Sequence, residues 1–391
     1  MPDLKTGRYF ELLDSNEYIT LDDLTKQEPR YRIYNNVLGT LAFCPIVRKS
    51  ALISDAKTSA LAEKCKNILS SANPEIMART LNYLYSKETK SSYEIENETA
   101  EQSKSLRFIE VLKHTADKDY LTKEVLIELQ NLVVAPQFRN NSFRSSISEQ
   151  NYVGRTISIA GDQEVHFISP KPEDIDELMG EFLNSAKRIS DSLAVNPIVA
   201  AAAIAYPFVF LHPFSDGNGR LHRFLIHYVL TKMGFTPEGV IFPVSAAILR
   251  KMSLYDRSLE SFSRKLMPLI EYKFDKERRI TVLNRTVDYY RHIDCTTMAE
   301  ALFEFITDTI EKDLPEEISF LKSYDEARKR MSNVLDMPNR QADLFIRLCV
   351  QNGLKLSKVK RKLPDFAILT DEEIAGLEGA VQKAFKGLSL E

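Results

Sequence analysis

The sequence predicts a mainly α-helical protein with one β-hairpin and a helical C-terminal domain. Apolar residues recur at helical spacing along most of the 391 residues, and strand-like alternation occurs in one place. No internal repeat or low-complexity tract interrupts this pattern. A chain of this length holds two or three domains. We expect an N-terminal helical arm at 1–89, a central core at 90–275 and a C-terminal helical domain at 276–391.

The spacing of apolar residues predicts each helix in turn. In the first half of the chain the pattern covers 55–71, 74–87, 91–114, 121–134, 172–193 and 197–211. The run from Pro197 to Leu211 is apolar on all sides, which predicts a buried central helix. This run is too short to cross a bilayer. In 155–168, two β-branched or aromatic runs flank Ala160-Gly161-Asp162 and predict a hairpin.

The C-terminal part continues the helical pattern through 297–312, 316–335 and 338–351. Thr370 to Glu373 fits a capping box, which predicts that a helix begins there. Before it lies a cationic cluster of Lys358, Lys360, Arg361 and Lys362. The short helices here form either a plain bundle, which we favour, or a helix-turn-helix or winged-helix module that binds nucleic acid.

Charge and cysteine content narrow the choice of partner and compartment. The chain has 52 Lys and Arg against 55 Asp and Glu, a net charge of -3, so no global charge attracts nucleic acid or a membrane. The four cysteines (Cys44, Cys65, Cys295 and Cys349) lie far apart and fit no zinc pattern, so we expect reduced core thiols. The N-terminal residues lack the apolar core of a signal peptide, and we expect a soluble cytoplasmic protein.

A loop after the buried helix, His212 to Arg223, carries the residues that suggest chemistry. Gly217-Asn218-Gly219 opens the next helix, where flexible backbone and the positive end of the helix dipole form a phosphate-binding nest. Arg220 and Arg223 supply forked donors for a polyphosphate, and Asp216 is an oxygen ligand for Mg²⁺. His212 suits a general base near neutral pH. Together they predict nucleotide-dependent transfer to a hydroxyl. The alternative is a tight turn between helices, which would not need all of these residues at this spacing.

These residues resemble a known family. HPFSDGNGRLHR, residues 212–223, matches every position of the HxFx(D/E)GNGRxxR motif of Fic-domain proteins. The resemblance implies a Fic-type helical core at 90–275 and transfer of AMP from ATP to a Ser, Thr or Tyr hydroxyl of a target protein. In that reaction His212 would deprotonate the hydroxyl and Asp216 would bind Mg²⁺. The nest of Asn218 with the amides of Gly217 and Gly219 would hold the α- and β-phosphates, while Arg220 and Arg223 would hold the β- and γ-phosphates.

Further stretches extend the resemblance to the family's flap, where a target segment pairs with the edge of a hairpin. These stretches are FRSSISEQNYVGR and VHFISPKPEDIDELM, and Ser169 stands where the family more often has a second proline. Gly219 favours AMP transfer, because the phosphate-transferring relatives have Lys there. Phosphocholine-transferring relatives share much of the motif and stay open. Tyr255 lies where relatives place an aromatic near adenine, although a Tyr at this spacing is also typical of a core.

Residues Ser92 to Asn97 resemble the family's inhibitory motif (S/T)xxxE(G/N) and lie in a helix predicted near 90–114. The resemblance implies autoinhibition, in which Glu96 forms a bidentate ion pair with Arg223 and withdraws it from the γ-phosphate. Ser92, one helical turn earlier, would hydrogen-bond near the loop, and Asn97 completes the motif. The alternative is an ordinary solvated helix face.

Several alternatives remain open at this point. The same glutamate orients water in relatives that remove AMP, so the reverse activity is an alternative. A second alternative is a nucleic-acid-binding regulator that acts through the cluster at 358–362. A scaffold that has lost catalysis would have decayed motif positions, and none is decayed. We expect no membrane partner, and a homodimer stays open.

Overall fold

Helices dominate the fold, as the apolar spacing predicted. The computed structural model describes residues 7–99, 101–146, 148–157, 163–237 and 239–388. The predicted turn Ala160-Gly161-Asp162 lies outside the described residues. The helices are α1 (Asp55–Ser70), α2 (Pro74–Ile95), α3 (Gln102–Lys113), α4 (Lys123–Val133), α5 (Ile175–Ser190), α6 (Pro197–Leu211), α7 (Asn218–Lys232), α8 (Val244–Arg250), α9 (Met252–Leu266), α10 (Thr296–Asp308), α11 (Leu314–Ser332), α12 (Asn339–Val350), α13 (Pro364–Ala367) and α14 (Asp371–Ala384).

The strands are more numerous than the one predicted hairpin. They are β1 (Phe10–Glu11), β2 (Lys26–Glu28), β3 (Ile33–Asn35), β4 (Tyr152–Thr156), β5 (Gln163–Ile168), β6 (Tyr272–Phe274) and β7 (Ile280–Val282). The predicted hairpin is the antiparallel pair β4 and β5, and a second hairpin pairs β6 with β7. In the N-terminal arm, β3 lies between β1, to which it is parallel, and β2, to which it is antiparallel. Strands of two or three residues are too short to show an alternating pattern, which explains why the sequence did not predict them.

The predicted helix at 91–114 is two helices, and this is a correction. Helix α2 runs without interruption from Pro74 to Ile95, and α3 begins at Gln102. The chain turns at Asn97, which has a left-handed backbone (φ 56), and the N–H of Glu98 donates to the carbonyl of Tyr93 at 3.0 Å. This hydrogen-bond pattern is a common way to end a helix.

Two units divide the described chain, one made of residues up to 66 with 84–310 and the other of 67–83 with 311–388. In the first unit, α6 is the centre of the core and packs against α5, α7 and α10. Nearly all of its residues are buried, as predicted. The side chain of Asn196 caps its start by accepting from the N–H of Ile198 at 3.0 Å. The chemistry-bearing loop begins where α6 ends.

The second unit is helical in its described part. Its core contains Phe345, Phe366 and Leu377, and the capping box of Thr370 with Glu373 is present. No strand occurs among the described residues of 311–388, so they form a helical bundle without the wing of a winged helix. Arg361 of the cationic cluster donates to the carbonyls of Phe366 and Leu369 and thus supports the turn after α13, while Lys358, Lys360 and Lys362 are exposed.

Two further expectations concern cysteines and membranes. Cys44, Cys65, Cys295 and Cys349 are buried and form no disulfide. Within the described ranges, no helix has the length and apolar character needed to span a bilayer.

Candidate active site

His212 follows the last residue of α6 and has a left-handed backbone (φ 51, ψ 56), which is uncommon for a residue with a side chain. Its N–H donates to the carbonyl of Phe208 at 3.1 Å, and its ring Nδ1 lies 3.3 Å from the carbonyl oxygen of Val209. A carbonyl oxygen can only accept, so Nδ1 carries the proton and Nε2 keeps its lone pair. Burial and the nearby Arg144 cation lower the pKa of His212 to about 4. At neutral pH the ring is therefore an uncharged base.

The loop after His212 is held by its own side chains. Gly217 has φ +90, and a Cβ there would lie 2.8 Å from a methyl of Val134. The Asn218 amide accepts from the N–H of Phe214 at 3.0 Å and donates to its carbonyl at 2.8 Å. Both ends of this amide are thus used inside the loop, so the group that Asn218 offers a phosphate is its backbone N–H. The N–H groups in the first turn of α7 have no partner within the helix and are the donors that the predicted nest requires.

Asp216 and Arg220 form an ion pair at the edge of the nest. Asp216 Oδ1 accepts from Arg220 Nη2 at 2.9 Å and from the N–H of Gly217 at 2.6 Å. Arg220 also donates through both Nη atoms to the carboxylate of Glu98, at 3.1 and 3.2 Å, and its side chain is 2% exposed. The described residues contain no group of three or more side chains that would bind a metal by themselves. A single carboxylate fits Mg²⁺, which commonly takes one or two carboxylates together with phosphate oxygens.

Arg223 is buried and points toward the end of α2. Its Nε donates to Ser92 Oγ at 2.9 Å, and its Nη2 donates to the Ser92 carbonyl at 2.7 Å and to Glu96 Oε1 at 2.8 Å. The predicted bidentate ion pair is therefore wrong in its geometry: one N–O contact joins Arg223 to Glu96, and Ser92 takes the other hydrogen bonds.

The Glu96 carboxylate lies over the first turn of α7. A Cβ placed on Gly219 would stand 2.0 Å from Glu96 Oε1. Burial alone would raise the pKa of Glu96, but the Arg223 and Arg220 cations outweigh it and lower the pKa below its ordinary value. Glu96 is therefore an anion in the place where the nest would hold a phosphate.

Tyr255, which the sequence also singled out, and the histidines His222 and His166 have the following surroundings. Tyr255 is 6% exposed, and its ring lies 6.4 Å from that of Tyr206 and 6.2 Å from that of His222, so it is packed in the core. His222 donates from Nδ1 to the carbonyl of Ala205 at 2.8 Å and is fully buried. The side chain of His166, on β5, is 47% exposed.

Sequence reasoning missed the partners that reach the loop from elsewhere. The side chain of Gln130, on α4, is fully buried and donates to the carbonyl of Asp216 at 3.1 Å. Glu88, on α2, accepts from Ser245 Oγ at 2.6 Å and lies 2.9 Å from His227 Nε2, and all three are buried. The sequence does contain a signal for the pairing of Glu88 with His227, namely the spacing of the residues on each helix. Glu88 and Ser92 are four residues apart on one face of α2, with Glu96 four residues further on and just beyond the helix end, and Arg223 and His227 are four residues apart on α7.

Comparison with known proteins gives the following relatives. Residues 120–230 match the Fic/DOC family. The chain is 26% identical over 178 residues to the protein adenylyltransferase fic-1 of Caenorhabditis elegans, which covers 45% of this chain and 31% of that protein. It is 40% identical over 70 residues to the protein adenylyltransferase Fic of Nematostella vectensis, covering 18% of this chain and 16% of that protein. These matches thus span less than a third of the length of either relative.

A solved structure is also similar. It is a Fic-domain-containing signaling protein from Bacteroides thetaiotaomicron, with a TM-score of 0.47 and 19% identity. The match covers 67% of this chain and 95% of that one.

Proposed function

We propose that this chain, which carries a Fic/DOC domain over residues 120–230, is a protein adenylyltransferase that moves AMP from ATP to a hydroxyl of a target protein. One observation carries the proposal most strongly. An uncharged His212 with a lone pair on Nε2 stands at the same loop as a helix-start nest and two buried arginines. The names of the relatives, which are protein adenylyltransferases, support AMP as the transferred group.

In the proposed reaction His212 Nε2 takes the proton of a Ser, Thr or Tyr hydroxyl of the target. The hydroxyl oxygen then forms a bond to the α-phosphorus, and the bond from that phosphorus to the oxygen bridging the α- and β-phosphates breaks. Pyrophosphate leaves with the electron pair. The first-turn amides of α7 with Arg220 and Arg223 stabilise its charge. Asp216 would hold Mg²⁺, which neutralises phosphate charge when it is bound.

The residues before the domain support autoinhibition as part of this function. Glu96 pairs with Arg223 and lies over Gly219, and Glu98 pairs with Arg220, so each arginine of the loop already has a carboxylate. A polyphosphate bound over the first turn of α7 would have to displace Glu96, because this anion already lies there, with Oε1 2.0 Å from where a Cβ of Gly219 would stand. We therefore propose that the described conformation is the inhibited one.

The flap β4 and β5 is the proposed site of the protein target. Strand β4 exposes the apolar side chain of Val153, which is 51% exposed, and Ile157 just after the strand is 58% exposed. An extended target segment can add to such an edge through main-chain hydrogen bonds.

The test uses two forms of labelled ATP. Purified wild-type protein and the Glu96→Gly variant are incubated with cell lysate and either α-labelled or γ-labelled ATP, and labelled proteins are identified by mass spectrometry. We expect AMP adducts on hydroxyl side chains from α-labelled ATP alone, and none with His212→Ala. Transfer of the γ-label, or no adduct from either nucleotide with the Glu96→Gly variant, would contradict the proposal.

A further inference from the structure

Arg144, in the segment between α4 and the flap, is a buried cation without an anionic partner. It is 3% exposed, and no carboxylate in the described part of the chain forms an ion pair with it. Burial lowers the pKa of Arg144 to about 10, so it still carries its charge at neutral pH. A buried unpaired charge is costly, and it is retained where its hydrogen bonds are needed.

The hydrogen bonds of Arg144 join the base to the flap. Its Nε donates to the carbonyl of His212 at 2.7 Å, and its backbone N–H donates to the carbonyl of Pro213 at 2.8 Å. Its Nη2 donates to Ser169 Oγ at 3.0 Å, one residue beyond the end of β5. One side chain therefore contacts both the residue that would take the proton and the hairpin that would hold the target.

Ser169 connects this arginine to both ends of the flap. It is 2% exposed, and its Oγ and its backbone N–H both donate to the carbonyl of Asn151, at 3.0 and 3.2 Å. Asn151 precedes β4, and its Nδ2 donates to the carbonyl of Phe214 in the catalytic loop at 3.2 Å. A proline at 169 would have neither the N–H nor the hydroxyl, so this connection depends on the serine.

We infer that Arg144, linked through Ser169 to the flap, is a positioning residue that fixes His212 in its left-handed backbone and aligns it with the flap-bound hydroxyl. The inference rests on the proposed transfer reaction. His212 donates its own N–H to Phe208 inside α6, so the hydrogen bond from Arg144 to its carbonyl fixes the other side of this residue. Among the described residues, the charged groups with the largest effect on the His212 ring are Arg144 from the flap side, Glu96 from the end of α2 and Asp216 from its own loop. Burial is the main cause that keeps the ring uncharged, and among these charged groups Arg144 favours the uncharged ring while Glu96 and Asp216 favour the charged one.

The experiment compares variants in a Glu96→Gly background, where the proposed brake is released. Arg144→Gln removes the charge, and Arg144→Lys keeps the charge but lacks the two separate nitrogens, Nε and Nη2, that donate to His212 and Ser169. Ser169→Ala removes only the link to the flap. Arg188→Gln is the matched control, because Arg188 is a half-buried arginine that also donates to a backbone carbonyl, that of Leu24, outside the site.

Two measurements separate positioning from folding or nucleotide binding. The first is the pH titration of the His212 ring by NMR, with its signal assigned by loss in His212→Asn among the six histidines of the chain. The second is kcat for AMP transfer against pH, with the Kd of ATP measured by calorimetry. We expect Arg144→Gln to lower kcat roughly ten- to a hundredfold, since small misplacements of a reacting group have effects of this size. The acidic limb of its pH profile and the ring titration both move to higher pH, and the Kd for ATP is unchanged.

The other variants separate the effect of the Arg144 charge from the effect of its hydrogen bonds. Arg144→Lys should restore the ring titration but not kcat, and Ser169→Ala should lower kcat with the titration unchanged. Arg188→Gln should change neither quantity. The inference is overturned if Arg144→Gln leaves both the titration and kcat unchanged, or if it weakens ATP binding while the titration stays the same. If Arg144→Gln does not fold, an unchanged kcat in Ser169→Ala overturns it. If the Glu96→Gly parent transfers no AMP, the proposed function fails, and the ring titration of the Arg144 variants still decides whether Arg144 acts on His212.

Discussion

Replacing Glu96 with glycine tests the proposed brake at the hydrogen bond that the Glu96 carboxylate accepts from Arg223. Arg223 makes three hydrogen bonds to the end of α2, two to Ser92 and one to Glu96. A hydrogen bond to a charged group contributes about 1.5–3 kcal/mol. Because the Glu96 side chain is 35% exposed, solvent screens it, and we take the lower part of this range, about 1.5–2 kcal/mol. Each 1.4 kcal/mol is a factor of ten, so the population with Arg223 free should rise roughly 10- to 30-fold.

The assay is the initial rate of AMP labelling at matched ATP and Mg²⁺ concentrations. Glu94→Ala is the control, since Glu94 is an exposed glutamate two residues earlier on the same helix, and it should label at the wild-type rate. The double variant Glu96→Gly with Arg223→Ala should be no faster than Arg223→Ala alone. Equal rates for wild type and Glu96→Gly, or a gain that survives the loss of Arg223, would refute the reasoning.

Four further predictions follow from the same geometry. His212→Ala should reduce AMP transfer at least a hundredfold, the usual scale of a general base, while calorimetry shows ATP binding nearly intact. Asp216→Ala should remove the Mg²⁺ dependence of nucleotide binding; the same dependence with and without the carboxylate would exclude it as a metal ligand. Gly219→Ala should raise labelling above wild type, because its Cβ would fall 2.0 Å from Glu96 Oε1 and displace that carboxylate; it should give no gain in a Glu96→Gly background. Burial holds the pKa of His212 and of His222 at about 4, so between pH 6.5 and 4 the unfolded chain binds protons that the folded chain does not. The free energy of unfolding should therefore fall as the pH drops through this window, by up to about 2 kcal/mol per histidine at pH 5, and urea titrations of wild type and His222→Gln measure the difference.

The sequence was sufficient to predict those structural features whose determining residues are close together in the chain. The helix α6 and the loop from His212 to Arg223 depend on local spacing, so the pattern predicted the central helix and the residues that follow it. It also placed a capping box at Thr370, which the structure contains. Each of these features is decided within about one or two turns of helix.

The sequence was insufficient where a side chain meets its partner across the fold. Arg144 is 68 residues from His212, Gln130 is 86 residues from Asp216, and Glu98 is 122 residues from Arg220. Each pairing depends on how the helices and loops pack, and no local pattern distinguishes these polar residues from solvated ones. Arg144 and Gln130 are buried, while the side chain of Glu98 is 40% exposed. The break in the predicted 91–114 helix depends on residues closer together in the chain. Asn97 has a left-handed backbone, and the N–H of Glu98 donates to the carbonyl of Tyr93, which together end α2.

The contacts of Glu88 and Glu96 also indicate where the proposed brake can open. At one end, Glu88 is fully buried and bonded to both Ser245 and His227, so separating the helices there would leave a carboxylate without partners in the core. At the other end, Glu96 lies beyond the last residue of α2, is partly exposed and makes one contact to Arg223. Local opening occurs most readily where few buried contacts must be broken. Release of Arg223 therefore needs only the turn around Glu96 to move, while Glu88 keeps its hydrogen bonds with Ser245 and its contact with His227.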